Sequence, residues 1–310
     1  MARFSFVFPG QGSQSIGMLN GFSGNQVVRQ TLDEASDVLR TDMSKLIAEG
    51  PKESLDLTTN TQPVMLTAGV ATYRAWIAAG GQPPELVAGH SLGEYSALVA
   101  AGVVDFKDAL PMVRFRAQAM QEAVPVGQGG MAVILGLSDD EVRAACSEAA
   151  QGEVVEAVNF NTPAQVVIAG HTGAVERACV AAKARGAKRA QALAVSAPFH
   201  SSLLIPASER LKEYLTKISL SAPVIALINN VDVAIETAPA KLKDALVRQA
   251  ANPVRWVEVV QKMATGGMTH VVECGPGKAL TGMTKRINSD LTGDAIVDQT
   301  SLDRLLEVLK

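Results

Sequence analysis

The run Gly89-His90-Ser91-Leu92-Gly93 constrains this chain more than any other stretch of it. It follows a short apolar run, Leu86-Val87-Ala88, and opens an apolar segment that ends near Ala101. Strand, sharp turn and helix form the setting that a G-x-S-x-G nucleophile elbow needs. Such a turn lifts Ser91 Oγ clear of a sheet, and glycines on either side let strand and helix approach where a Cβ would clash. The helix N-terminus below the serine presents unpaired N–H groups to developing negative charge. The same five residues can occur by chance in an ordinary turn, but the strand before and the helix after favour a nucleophile.

Composition narrows the rest. With 310 residues the chain can bury a large core and carry a smaller second domain. Apolar residues make up 47% and charged residues 19%, the balance of a folded globular protein. A net charge of -3, with no dense basic run and no zinc-finger spacing, gives no support to nucleic-acid binding. Cys146, Cys179 and Cys274 are odd in number and far apart, so neither a disulfide framework nor a metal cluster is expected. The start MARFSFVFPG holds too short an apolar stretch for a signal peptide, and no uninterrupted apolar 18-mer follows. The expectation is a cytoplasmic enzyme with no membrane span.

The element pattern is α/β. A strand is expected over 3–8, ended by Pro9-Gly10. The loop Gly10-Gln11-Gly12-Ser13-Gln14 is glycine-rich but lacks a dinucleotide fingerprint and a phosphate-loop lysine. A helix is expected over 63–78 with Pro63 in its first turn, then one over 105–121. After the linker 125–130 the order changes. A strand over 131–135, a helix capped by Ser138, strands over 154–160 and 165–169 parted by the turn Asn161-Thr162-Pro163, a helix over 172–184 and a strand within 187–195 make β-α-β-β-α-β, the ferredoxin-like unit. Alternation then resumes: helices over 203–218, 241–250, 254–263 and 278–287, strands over 224–228 and 270–273. The simplest arrangement is a large domain from 1–125 and 197–310, interrupted by a small domain at 126–196, with a ligand cleft between them.

A serine needs a base. His90 adjoins Ser91 and should point away from it. His171 starts a helix and reads as a surface or capping residue; His270 begins a strand and reads as structural. His200 leads by elimination, in the interdomain loop Ser196-Ala197-Pro198-Phe199-His200-Ser201, without being settled by it. No carboxylate between serine and histidine stands out as a third member, and Asp232 and Glu273 are later candidates.

Taken together, Phe8-Pro9-Gly10-Gln11-Gly12-Ser13-Gln14, Gly89-His90-Ser91-Leu92-Gly93-Glu94-Tyr95, Arg116, Phe199-His200-Ser201, Asn252-Pro253-Val254 and Gly275-Pro276-Gly277 closely resemble the malonyl-CoA:acyl carrier protein transacylases of fatty acid synthesis, over nearly the whole chain. The resemblance implies a large α/β-hydrolase-like domain with an inserted ferredoxin-like small domain. It implies Ser91 as nucleophile, His200 as base, and the main-chain carbonyl of Gln249 in place of a triad acid. The N–H groups of Gln11 and Leu92 would form the oxyanion hole, and Arg116 would bind the malonyl carboxylate. Phe199 would fill the space that an α-methyl needs. Met131 and Asn161 are candidates to line the cleft; Tyr95 reads as core. The implied substrates are malonyl-CoA and holo-acyl carrier protein, with no metal, no other cofactor and a monomeric enzyme. Lys183, Arg185, Lys188 and Arg189, and Lys285 with Arg286, are the basic clusters that an acidic carrier could meet. Rival readings are a hydrolase of carboxylated thioesters, a transacylase for methylmalonyl or another extender, and a non-catalytic carrier-binding protein. The lack of ketosynthase or carrier regions and Phe199 argue against the second, and the intact Ser91, Arg116 and His200 against the third. The Gln249 side chain is expected to be dispensable.

Overall fold

In the computed structural model, residues 2–195 and 197–310 are described; position 196, the expected end of the small domain, lies outside them. The chain enters through strand β1 (Phe4–Phe8) and helices α1 (Gln26–Leu39), α2 (Met43–Glu49), α3 (Lys52–Asp56) and α4 (Thr58–Ala78). Strand β2 (Leu86–Gly89) feeds α5 (Gly93–Ala100), and α6 (Phe106–Glu122) closes this segment. A second unit follows: β3 (Gly129–Leu135), α7 (Asp139–Ala150), β4 (Val155–Thr162), β5 (Gln165–His171), α8 (Thr172–Ala184) and β6 (Arg189–Ala192). The chain returns through α9 (Ile205–Leu215), β7 (Ala226–Ile228), α10 (Pro239–Gln249), α11 (Trp256–Thr265), β8 (His270–Cys274), α12 (Ala279–Ile287), β9 (Thr292–Ile296) and α13 (Gln299–Val308).

Five strands pair in parallel in the order β7-β2-β1-β8-β9. Both faces are covered, so β1 is buried at every residue, as central parallel strands are. Phe4, Phe6 and Phe8 share one core with Trp76, whose ring lies 5.4 Å from that of Phe6. Val7 packs in the core on the other face with Met263, and burying each such side chain is worth about 1.5–3 kcal/mol. The second sheet is antiparallel, β4-β5-β3-β6, with α7 and α8 packed on it over its own core. This is the ferredoxin-like insert beside a larger parallel-sheet domain. The two units are stitched by main-chain bonds, Phe160 N–H to Val254 C=O at 3.0 Å and Val254 N–H to Val158 C=O at 2.8 Å. Among the described residues no helix is long and apolar enough to cross a membrane.

Two local expectations change. Pro63 is the sixth residue of α4, not a first-turn residue. The polar stretch Thr58–Gln62 is helical because its side chains find partners, Thr61 Oγ1 donating to the Leu55 carbonyl at 2.7 Å. Asn161 and Thr162 belong to β4, since Thr162 pairs with Gln165, and the turn shrinks to Pro163-Ala164.

Parallel register sets the site. Phe8 pairs with Gly89, so the loops leaving β1 and β2 emerge at one carboxyl edge, where open α/β sheets bind ligands. Close packing of β2 against α5 depends on two glycines: a Cβ on Gly89 would lie 1.8 Å from the Gly93 carbonyl carbon, and one on Gly93 would lie 2.0 Å from the Phe8 oxygen. Gly93→Ala should therefore cost roughly 3 kcal/mol or more, or prevent folding. Gly282→Ala, in the exposed helix α12 with nothing within 4 Å of the new Cβ, should be neutral or stabilising by up to about 1 kcal/mol. Thermal denaturation checks the pair; a parental melting temperature for Gly93→Ala would refute the contact.

Candidate active site

At the elbow Ser91 has φ 51°, a left-handed conformation that a non-glycine residue adopts only when its surroundings compel it. Asn230, buried beyond the end of β7, supplies the constraint. Its Oδ1 accepts from the Ser91 main-chain N–H at 2.7 Å, and its Nδ2 donates to the Gly89 carbonyl at 2.6 Å. The His90 and Gly93 amides donate to Phe8 and His90 carbonyls. The Leu92 N–H has no acceptor among the described residues, nor has that of Gln11, and both residues line the cavity in which Ser91 sits. These are free donors beside the nucleophile.

His200 Nε2 lies 2.6 Å from Ser91 Oγ, and Nδ1 lies 2.8 Å from the Gln249 carbonyl oxygen. A carbonyl only accepts, so the Nδ1 proton is fixed and Nε2 faces the hydroxyl with its lone pair. His200 also has a left-handed backbone, φ 66°, in a loop fastened to β4: Glu156 accepts from Ser202 N–H at 2.7 Å and Ser202 Oγ at 2.8 Å. Burial, reinforced by the Arg116 charge, pushes the His200 pKa down to about 3. The two acids considered as triad members are engaged elsewhere. Asp232 pairs with both terminal nitrogens of Arg248, and Glu273 Oε2 accepts from the Thr281 main-chain N–H and hydroxyl at the start of α12.

Arg116 projects from α6 into the same cavity, only 2% exposed. Nη1 donates to Gln62 Oε1 at 2.8 Å; Nη2 donates to Gln249 Oε1 at 2.9 Å and reaches Ser91 Oγ at 3.3 Å. Nε makes no hydrogen bond among the described residues, and no carboxylate there touches the guanidinium. It is a buried cation held by amides beside a serine. Gln249 is fully buried and its amide bonds to Arg116, the Ser91 carbonyl and Glu94, contacts that the expectation of a mild side-chain replacement did not include. Phe199 and Met131 line the cavity, whose volume is about 110 Å³. Asn161 does not; its Oδ1 is bonded to His90 Nε2 at 2.8 Å. Bulges in β4 bring Asn159 to the cavity, with an unbonded Oδ1. His171 Nδ1 accepts from the Val154 N–H in the small unit.

Gln62, Glu94, Asn159 and Asn230 are the site residues that motif reading missed. Glu94 alone had a signal, its place in the first turn after the elbow.

A serine under backbone strain, a neutral buried histidine and two free amides on the carboxyl edge of a parallel sheet define a serine-dependent acyl-transfer site. Residues 5–297 match the acyl transferase domain family. The chain is 53% identical over 307 residues to a malonyl CoA-acyl carrier protein transacylase of Salmonella typhimurium, covering 99% of each. It superposes with TM-score 0.97 on an acyl-carrier-protein S-malonyltransferase of Burkholderia pseudomallei at 66% identity, covering 98% of this chain and 99% of that one. It also superposes with TM-score 0.98 on a structure of a type II polyketide acyl-carrier protein in complex with its malonyl-transacylase, at 51% identity, covering 99% and 100%. The chain belongs to the malonyl-CoA:acyl carrier protein transacylase family.

The buried histidine sets a pH test. Its pKa is depressed, so between about 3 and 6.5 the unfolded chain binds the proton that the folded chain does not. This contribution to stability is complete above pH 6.5 and is lost as pH falls toward 3. The His200 ring resonances, assigned by their loss in His200→Asn, should not titrate between pH 8 and 5. The parent should lose melting temperature more steeply than His200→Asn over the acid half of that range. A ring titration midpoint near 6.5 would refute the buried neutral base.

Proposed function

We propose that this chain transfers a malonyl group from malonyl-CoA to the phosphopantetheine thiol of an acyl carrier protein, through an ester on Ser91, and so supplies fatty acid elongation. One observation carries the reading: Arg116 is a buried guanidinium beside the nucleophile with no carboxylate in contact among the described residues. A desolvated cation of this kind is incomplete until an anion reaches it. A malonyl carboxylate supplies that anion at the one distance from its thioester carbonyl that also reaches Ser91; an acetyl group leaves Arg116 unsatisfied.

The steps follow from the contacts. His200 Nε2 takes the Ser91 proton as Oγ attacks the thioester carbonyl. The Gln11 and Leu92 N–H groups receive the oxyanion. The tetrahedral adduct collapses, the C–S bond breaks, and the imidazolium protonates the departing coenzyme A thiolate. The carrier's thiol then gives its proton to His200 and attacks the Ser91 ester, and Ser91 leaves with that proton. Burial is the main cause of the low His200 pKa and stays in place, but pairing of the malonyl carboxylate with Arg116 offsets the second cause, so the correct substrate makes its own base somewhat stronger. Phe199 lines the same cavity as Ser91, and in this reading its ring would crowd an α-methyl. In this reading 1–125 and 197–310 carry the nucleophile, clamp and base, and 126–196 walls the cleft.

Ser91→Ala should form no malonyl ester detectable by intact mass. Arg116→Ala should lose malonyl transfer by about a hundredfold or more relative to acetyl transfer, the usual scale for removing one buried charged partner. Equal losses for both thioesters would reassign Arg116 to the fold or to coenzyme A.

The carrier meets a basic surface, because carriers of this type are acidic and this chain is slightly acidic itself. Arg185 is paired with Glu148, whereas Lys188, Arg189, Lys285 and Arg286 are exposed with no ion pair among the described residues. Helix α12, which carries the last two, packs against β4 of the insert. Charge reversal at Lys188 and Arg189, or at Lys285 and Arg286, should raise KM for the carrier several-fold at low salt and less at high salt. Acylation by malonyl-CoA should change little. Unchanged carrier kinetics in both double variants would refute this surface.

A further inference from the structure

Beneath the elbow lies a carboxylate that the transfer chemistry does not use. Glu94 stands in the first turn of α5, 2% exposed, with no cation in contact among the described residues. Its Oε2 accepts from the Asn230 main-chain N–H at 2.9 Å and from Gln249 Nε2 at 2.9 Å. Gln249 Nε2 also donates to the Ser91 carbonyl at 3.0 Å, and Gln249 Oε1 accepts from Arg116 Nη2 at 2.9 Å.

These partners leave the amide one orientation. A carboxylate oxygen and a carbonyl accept, and a guanidinium only donates. Turned over, Gln249 would set its oxygen against Glu94 and the Ser91 carbonyl, and its NH₂ against Arg116, losing three bonds at once. We propose that Glu94 is the positioning residue of the carboxylate clamp: Oε2 locks the Gln249 amide with its oxygen toward Arg116, and the lock holds the guanidinium at the acyl cavity. The inference rests on the reading of Arg116 as the partner of the malonyl carboxylate.

An amide between acid and guanidinium has a purpose that a direct ion pair would defeat. Glu94 opposes the cost of burying Arg116 through space, yet no carboxylate occupies the guanidinium where substrate must bind. The charged groups acting on Glu94 are Arg116 from α6 and Asp232 from the loop after β7, while Tyr95 lies next to it on α5. Burial pushes the Glu94 pKa up to about 7. A proton on Oε1 leaves both bonds at Oε2 intact, so the lock serves either charge state.

The test is single-turnover acylation of Ser91 by malonyl-CoA and by acetyl-CoA, read by intact mass as kcat/KM for each. Glu94→Ala should cut the malonyl value about tenfold or more and change the acetyl value less than about threefold. Glu94→Gln, which keeps an acceptor at the Oε2 position, should restore the malonyl-to-acetyl ratio to within about threefold of the parent. Gln249→Met keeps the carbonyl for His200 but removes the amide, and should show the same selective loss. Combining it with Glu94→Ala should shift the ratio no further, because both remove one lock. Equal losses for the two thioesters, additive effects in the double variant, or a parental ratio in Gln249→Met would overturn the proposal. If Glu94→Ala does not fold, Glu94→Gln and Gln249→Met decide it. Arg116→Ala separates the two levels: selective loss there with a parental ratio in Gln249→Met sinks only the Glu94 lock, whereas unselective loss in Arg116→Ala sinks the clamp itself.

Discussion

Two hydrogen bonds that Gln249 accepts, one at its main-chain carbonyl from His200 and one at its side-chain Oε1 from Arg116, tie the histidine to the guanidinium. Helix α10 ends at this residue, and the last carbonyls of a helix have no partner within it. The Gln249 carbonyl is thereby free for His200 Nδ1, at the negative end of the helix dipole. In the proposed mechanism that end would stabilise the imidazolium formed when Ser91 gives up its proton, the task a triad carboxylate performs elsewhere. Asn252-Pro253 prevents the helix from continuing and capturing the N–H groups that would close over this carbonyl. The side chain of the same residue holds Arg116, so a shift of α10 would disturb both halves of the site together.

Two of the five described non-glycine residues with positive φ are Ser91 and His200, at a cost of about 1–2 kcal/mol each. Each is held by a polar neighbour from another part of the chain, Ser91 by the buried Asn230 and the His200 loop by the half-buried Glu156 of the insert. The insert therefore does more than wall the cleft. Its strand β4 is bonded to the main chain at Ser202, two residues after the histidine, and at Val254, just beyond α10.

Much of this was legible because it is written in local chemistry. The elbow announces itself through two glycines around a serine, and the insert through the change from α-β alternation to β-α-β-β-α-β. The Ser138 cap and the helix boundary at Asn252-Pro253 are signals within a few residues. Ser91 and His200 could be named from motif and elimination, whereas Arg116, Gln11, Leu92 and Gln249 needed the family resemblance, since one helical arginine or one glutamine carries no mark of burial. What stayed hidden is long-range. Asn230 is 139 residues from the serine whose amide it holds, and Glu94 is 155 residues from the Gln249 amide it accepts from. The helical start of α4 was missed because Thr-Thr-Asn-Thr-Gln is a poor helix former whose hydroxyls find tertiary partners, Thr61 at the α3–α4 junction and Thr58 at Gln11. Asn161 was taken for a cleft residue and Asn159 overlooked because a strand bulge changes which side chains face the site, and period-two reasoning cannot see one.

The missing triad acid has an electrostatic reason in this geometry. A carboxylate at the position of the Gln249 carbonyl would sit within reach of Arg116, because the Gln249 side chain already contacts that guanidinium. The two would form a buried ion pair, strong in a site of low dielectric, and the substrate carboxylate would have to displace it. A carbonyl orients His200 with no formal charge, and Glu94 is kept one amide away. Among the described residues, Arg116 thus remains the one full charge lining the cavity that holds Ser91. In the function proposed above, the substrate's anion would complete the site; it would also offset the Arg116 charge, which lowers the His200 pKa second to burial.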